Sequence, residues 1–378
     1  MTEIIVLPFP GEFALGGLFD STRSAEGRLS WFETLARTTL LPQEQAVMIV
    51  ALDEGSPRAA LPLVRTREGL RALTAPYTTL YAPPLPESGV ARELGSRARD
   101  YVKTVLRLDG LDAADAGAAA LLEGLSSSGL AAACYRGFAN WYEPVSDFAS
   151  WWGLRPSRLR TTVRRKLSAA LKRGATFQCV RDGFDDAIAI YEAIHGSSWK
   201  DAEPYPLFIA AMVRALGGEG LVRIGIMRVA GTPVAAQIWL VCGRRGTIFK
   251  LAHREDAAEL SPGTLLTHHM AKTLIREDRL EEIDFGRGDD TYKRDWLSRS
   301  RHRTGFVAGD WHKVAGLAAI AADVLPTRLG SAMRAFGRHS AGNRSGSVAA
   351  TPKAELSLTQ LEVMTPCDDP RRGAGVEP

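Results

Sequence analysis

The chain is poor in cysteine, has no long apolar run and lacks the short motifs of several familiar catalytic centres. Each absence removes a class of function. Among 378 residues there are four cysteines, Cys134, Cys179, Cys242 and Cys367. They lie far apart with no C-x-x-C and no pairing pattern, so a disulfide scaffold is not expected and a reduced, cytoplasmic compartment is the simpler reading. The opening MTEIIVLPFPGEF carries an acidic residue and prolines where a secretory leader needs a basic start and an apolar core. No stretch reaches the roughly 18 uninterrupted apolar residues of a spanning helix. The nearest, Val314 to Leu325, is Ala-rich and too short, so stable membrane insertion is not expected, while peripheral contact with the inner membrane stays open. G-x-S-x-G, G-x-x-x-x-G-K-[ST] and H-E-x-x-H are all missing. His268 and His269 are adjacent and would face different ways on a helix, so no metal is expected.

What is present fits a two-domain α+β protein. The length exceeds what one hydrophobic core usually supports. A net charge of +4 with a pI near 8.9 suits an anionic ligand such as a coenzyme phosphate, but is too weak to imply nucleic acid. From Arg338 the sequence turns rich in Ser, Gly, Pro and Arg, which cannot bury enough apolar surface to offset ordering entropy. Residues 337–378 are therefore expected to be a disordered tail, after domains at 1–145 and 146–336.

The two domains repeat one another weakly. A helical stretch at 30–40 precedes apolar runs at 46–52, 59–66 and 77–84, then a helical segment at 90–107. The order recurs as a helix at 205–216, runs at 221–229, 234–243 and 246–255, and a helix at 263–277. Turns such as Ala230-Gly231-Thr232-Pro233 between β-branched runs read as hairpins. Between the halves, Leu159, Val163, Leu167 and Leu171 fall every four residues and predict one apolar stripe on a basic helix. Gly174 would end that helix, and ATFQCV would open the second domain as a strand.

Three segments of the second half could carry chemistry. VAAQIWLVCG (234–243) opens with two small residues. Ser261-Pro262-Gly263 reads as a helix start, with Ser as cap and Pro at the first position, and helix N-termini favour anions. IDFGRGDDTYKRDW (283–296) is an apolar strand end running into a turn and a short helix. Within it Asp284 is either a paired carboxylate, with Lys293 or Arg294 as partner, or a base raised by burial. Tyr292 and Trp296 are four apart, either a packing pair or a cleft-facing phenol. The basic run Arg155, Arg158, Arg160, Arg164, Arg165, Lys166, Lys172 and Arg173 contains no acid and reads as a solvated face or a contact for an anionic partner.

The string from LRPSRLRTTVRRKLSAALKRG through SPGTLL to IDFGRGDDTYKRDW resembles the GNAT-superfamily acetyltransferase domain of the CelD-like (cellulose biosynthesis) group, which is related to Fem-type peptidyltransferases with two tandem GNAT-like halves. The resemblance implies a mixed, mostly antiparallel sheet flanked by helices in each half. It implies acetyl-CoA or another acyl-CoA as donor and a small-molecule or saccharide acceptor. The fourth strand, whose amides meet the thioester, would be Val234 to Cys242, with Val234, Ala235 and Ala236 on the cofactor. The pyrophosphate would rest around Leu260, Ser261, Gly263 and Thr264. Asp284 would act as base, Tyr292 as proton donor to the thiolate, and Lys293 beside them. Lys250, His253, Arg287 and Trp296 would line the acceptor side. The loop departs from the Arg/Gln-x-x-Gly-x-Gly/Ala pattern, having one glycine and no arginine. That leaves aminoacyl-tRNA, the donor of Fem-type relatives, as an alternative, with a degenerate scaffold in exopolysaccharide assembly as a third reading.

Overall fold

Twice along the chain the same succession of strands appears, and the last strand of each succession is lent to the other. The computed structural model describes residues 2–310 apart from positions 12 and 14, together with residues 312, 313, 316 and 320–322. The expected tail at 337–378 lies outside the described residues, as does most of Val314 to Leu325.

The first half contributes β1 (Glu3–Pro8), β2 (Gln45–Asp53), β3 (Ser56–Arg65), β4 (Gly69–Ala72), β5 (Val105–Leu111) and β6 (Ala131–Pro144). The second contributes β7 (Ala175–Val180), β8 (Val222–Val229), β9 (Thr232–Cys242), β10 (Arg245–His253), β11 (Glu282–Arg287) and β12 (Arg299–Gly309). They form one sheet in the order β1-β2-β3-β4-β5-β12-β6-β11-β10-β9-β8-β7. Within each half the first four strands pair antiparallel, and the fourth pairs parallel with the fifth. Then the chains exchange. β5 pairs with β12 of the second half, and β11 pairs with β6 of the first. Backbone pairing therefore crosses the expected division at residue 145.

Helices cover both faces of this mostly antiparallel sheet within each half, so strands inside a half are apolar along their length instead of alternating. β2 (QAVMIVALD) and β9 (TPVAAQIWLVC) are buried along nearly their whole length. On one face the helix Leu29–Thr38 meets its counterpart in the second half, Phe208–Gly218, with Trp31 edge-on to Phe208 at 5.5 Å. On the other face the helices Ser157–Lys172 and Pro262–Glu277 pack through Leu159, Val163, Leu265 and Met270. Burying such stripes stabilises by about 25 cal/mol per Å² of apolar surface removed from water. The basic helix, Gly174 at φ +75 and the strand Ala175–Val180 follow the expected plan.

Two expectations in the first half are corrected. Residues 77–84 are not a strand; the third hairpin partner is the short β4, and 77–84 is irregular. Pro83 and Pro84 bring no amide donors, and the segment meets its neighbours at isolated points, Tyr81 N to Gly110 O at 2.9 Å and Ala60 N to Pro84 O at 3.1 Å. The helical segment at 90–107 divides into a helix Ser88–Ser96, a single turn Ala98–Asp100 and then β5. Pairing on both edges, with β4 and β12, outweighs the helical periodicity of Val105 to Arg107.

Candidate active site

The site is built where β10 and β11 part. They pair only at Arg245–Glu282, Gly246–Ile283 and Thr247–Asp284. Beyond that, β10 runs on to His253 through a bulge between Ile248 and Lys250, while β11 bends at Gly286, φ +63. The expectation that Val234 to Cys242 is the fourth strand is corrected. That segment is the third strand of the half, and the splaying fourth strand is β10. Counted from β7, the strand expected to open this half and found at the sheet edge, β8 is second and Val234 to Cys242 third. Val234, Ala235 and Ala236 instead support the end of β10: Arg254 N donates to Val234 O at 3.0 Å, and Ala235 and Ala236 pair with His253 and Ala252.

β10 feeds through a two-turn 3₁₀ helix, Glu255–Leu260, into the helix Pro262–Glu277. Ser261 sits at the junction in the left-handed region, φ 55, and its hydroxyl caps nothing, which corrects the expected capping role. Leu260 is buried. Gly263 faces the end of β10: a Cβ there would meet His253 Cδ2 at 3.4 Å and the Leu251 methyls at 3.5 Å, ordinary contact distances. The amides of Gly263 and Thr264 belong to a first helical turn and have no intrahelical acceptor, which is the property an anion uses. Beside this turn Lys166 donates to the Glu259 carbonyl and Arg173 pairs with the Glu259 carboxylate. The basic helix thus borders the helix start. His253 stacks obliquely on the exposed Trp199, centroids 4.4 Å apart.

The β11 side behaves differently from expectation. Asp284 is fully buried and accepts from Arg245, from Arg301 at 2.8 Å, from Asn140 at 2.7 Å and from the Gly286 amide at 2.6 Å. Burial alone would raise its pKa, but Arg245, Arg301 and Arg303 outweigh burial and hold it at about 2. Its partners are neither Lys293 nor Arg294, and it is not a base poised by burial. Lys293 is buried and donates to the carbonyls of Arg287 at 2.6 Å and Gly288 at 3.3 Å, clasping the turn instead of facing a substrate. Trp296 packs among Trp151, Trp152 and Phe285, so it is core and not an acceptor wall. Tyr292 is half-exposed and rests near Phe285, and burial of its hydroxyl pushes its pKa up to about 12. Arg287 is exposed, its guanidinium lying 4.4 Å from the Phe138 ring centre.

Two groups escaped sequence reasoning. The first surrounds Lys250, whose ammonium bonds Glu203 at 2.8 and 2.9 Å and lies 4.3 Å over the Tyr77 ring. Tyr191 donates to the same carboxylate at 3.2 Å, and His195 stands 3.3 Å from it. Burial lowers the pKa of Lys250, with Glu203 opposing. Tyr77 comes from the first half, so no local pattern could have placed it here. The second is Glu26, in a single helical turn Ala25–Gly27 of the first half. It is buried and accepts from the Thr79 amide and hydroxyl, both at 2.6 Å. Burial raises its pKa to about 7, with the Thr79 hydrogen bonds and Arg245 opposing. It borders a small recess shared with Arg23, Arg245 and Thr247. Thr79 reaches the splay itself: a Cβ on Gly286 would lie 3.2 Å from Thr79 Cγ2 and 3.4 Å from the Ile248 carbonyl oxygen.

A parting parallel pair, followed by a helix whose first turn is open to an anion, lies inside one stretch that a known family shares. Residues 157–294 match the acetyltransferase (GNAT) domain family. The second half therefore carries a GNAT domain, and the match spans both β10 and the Ser261–Gly263 helix start. No curated protein matches the sequence. Among solved structures the chain resembles FemX, at 12% identity and a TM-score of 0.53, covering 79% of this chain and 92% of that one. It also resembles L-PGS from Bacillus licheniformis, at 11% identity and 0.53, covering 85% and 98%. A conserved protein of unknown function from Bacteroides thetaiotaomicron matches at 12% and 0.54, covering 81% and 100%. At such identities the likeness carries the fold and nothing more. Among the described residues no cluster of His, Cys, Asp or Glu is arranged to hold a metal, and no helix is long and apolar enough to cross a membrane. His268 instead packs edge-on to Trp152 and Phe148, and His269 stacks on Phe177.

Proposed function

We propose that the second half transfers an acyl group, acetyl in the simplest case, from an acyl-coenzyme A to an amine or hydroxyl of a small metabolite or saccharide precursor. The observation that carries this reading is the coincidence of the GNAT match with the β10/β11 splay and the open turn at Gly263 and Thr264. The order of SPG, then DFGRG, then Tyr-Lys-x-x-Trp supports placement in the CelD-like group.

In this reading the pyrophosphate rests on the Gly263 and Thr264 amides, with Lys166 and Arg173 lending positive potential. The edge of β10 past Thr247, unpaired toward β11, supplies donors for the oxyanion that develops on the thioester carbonyl. Holding donor and acceptor together accounts for much of such a rate without a covalent intermediate. The acceptor must lose a proton. Asp284, pinned as an anion, serves to brace β11; Glu26, with its pKa near 7, matches the demand on a base at neutral pH. Tyr292 keeps its proton at neutral pH and is the proposed donor to the departing thiolate. Lys250 and His253, at the end of β10, are placed on the acceptor side, with Arg287 at its rim.

Thermal unfolding with and without ligand tests the donor. A ligand at a hundred times its Kd stabilises the native state by about 2.7 kcal/mol. Acetyl-CoA should raise Tm, and Gly263→Asp, which sets a carboxylate where the pyrophosphate would lie, should abolish the rise, with circular dichroism confirming that the variant folds. An unshifted Tm with every acyl-CoA tried at millimolar concentration would overturn acyl-CoA as donor. A response to charged tRNA alone would install aminoacyl transfer in its place.

A further inference from the structure

The basic helix Ser157–Lys172 has an outer face that the donor site does not use. At 100° per residue, Arg160, Arg164, Arg165 and Lys172 fall within an arc of about 140°, opposite the buried stripe of Leu159, Val163 and Ala170. All four are exposed, and no ion pair engages them among the described residues. Their neighbours are spoken for: Arg155 pairs with buried Glu143, Arg158 with Asp295 and Arg173 with Glu259. No Asp or Glu occurs anywhere from residue 148 to 181. The charge on this face is thus uncompensated in a protein that pairs many of its other arginines.

The face also carries apolar side chains in water. Leu171, on the same arc as Arg160 and Arg164, is 54% exposed, and Leu154, just before the helix, is 75% exposed. Exposed leucine among unpaired cations suits a surface that is anionic outside and apolar a few ångströms beneath. Unstacked bases of a single strand would call for aromatic side chains, which the helix SRLRTTVRRKLSAALK lacks, and a phosphate backbone would leave Leu154 and Leu171 without an apolar partner.

We propose that this helix face docks the protein on an anionic phospholipid surface, with Arg160, Arg164, Arg165 and Lys172 on the headgroups and Leu154 and Leu171 dipping into the boundary. The helix borders the Ser261–Gly263 turn, so docking brings the donor side of the site close to the bilayer. The chemistry of the site plays no part in the argument, and its failure would leave this proposal standing.

The test is flotation of the full chain with vesicles of phosphatidylcholine alone or with about 30% phosphatidylglycerol. Binding should be confined to the anionic vesicles and should weaken as salt is raised. The combined charge reversal of Arg160, Arg164, Arg165 and Lys172 to Glu should lower the bound fraction at least tenfold. Leu171→Asp should lower it severalfold, with circular dichroism and Tm confirming that both variants fold. Equal binding to neutral vesicles, no binding to either, or an unchanged charge-reversed variant would overturn the proposal. So would salt-sensitive tRNA binding lost in the same variant while vesicles are ignored, since that would assign the face to nucleic acid.

Discussion

The two halves fold the same six strands in the same order, yet only the second leaves its splay open, where we propose the site. In the second half β10 is long, Arg245–His253, and leads within a few residues to the helix start at Pro262. In the first half β4 stops after Gly69–Ala72, and an irregular segment runs to the helix Ser88–Ser96. That segment fills the gap of the first half and lines that of the second. Tyr81 bonds the backbone of Gly110, which lies near the end of β5 at φ +83, much as Gly286 lies near the end of β11 at φ +63. Two residues earlier, Thr79 stands against Gly286 of the other half. A shortened strand in one repeat has freed a loop to wall the site of the other. The duplication matters less as a second binding unit than as a source of wall residues, Tyr77, Thr79 and Glu26 among them.

The buried centre marks the difference most sharply. β5 carries Leu108, fully buried, in its interior, whereas β11 carries Asp284 among arginines. Removing one partner of such a buried charge group leaves the others uncompensated, at a cost of about 3–5 kcal/mol. Asp284→Ala should therefore lower the unfolding free energy by that amount in urea titration. Because the folded pKa of Asp284, about 2, lies below its ordinary 3.8, the stability it contributes is present above pH 3.8 and lost as pH falls through 2. The variant should lose that part of the acid dependence. A cost below about 1 kcal/mol would mean that the arginines find other partners, and that the second half is no more dependent on charge than the first.

Much of the second half was legible in the sequence because its signals are local. The stripe on the basic helix, Gly174, the Ala230-Gly231 turn and the Pro262 helix start are each decided within a few residues. What escaped depends on contacts far apart in the chain. Thr78 to Tyr81 are residues of good β propensity, but no free edge was left for them, because β12 takes the place beside β5. Asp284 looked paired with Lys293 or Arg294 since these are near in sequence. Its true partners Arg245 and Arg301 lie on strands that adjoin β11 or reach it across the sheet. Glu26 carries no motif at all; only its burial against Thr79 and Arg245 singles it out.

Glu26 gives a second, smaller handle on the division of labour. Its folded pKa is raised from an ordinary 4.5 to about 7, so its proton stabilises the native state below pH 4.5. That contribution is lost as pH rises through 7, up to a limit on the order of 3 kcal/mol. Glu26→Gln keeps an acceptor for the Thr79 amide and cannot ionise. The variant should lack the downward slope of stability between pH 5 and 7 and should match or exceed the parent at pH 8. If an acceptor is found, it should also flatten the rise of kcat/KM with pH. Parallel stability curves for parent and variant would show that Glu26 does not titrate in this range, and the proposed base would have to be sought around Glu203.

The smallest effect should come from the other end of the same segment. Tyr81 is buried and its hydroxyl donates to the Pro62 carbonyl at 2.8 Å. That carbonyl also accepts from the Leu73 amide at 3.0 Å, so Tyr81→Phe leaves it with a partner. The loss should then be that of one ordinary hydrogen bond, about 1 kcal/mol, read as a small drop in Tm. The variant should leave the acyl-CoA-induced rise in Tm intact, because Tyr81 closes the splay of the first half and not that of the second. If removing this hydroxyl diminished the ligand response, the segment would be coupling the two gaps. The first half would then belong to the donor site, and the contrast between an occupied gap and a working one would not hold.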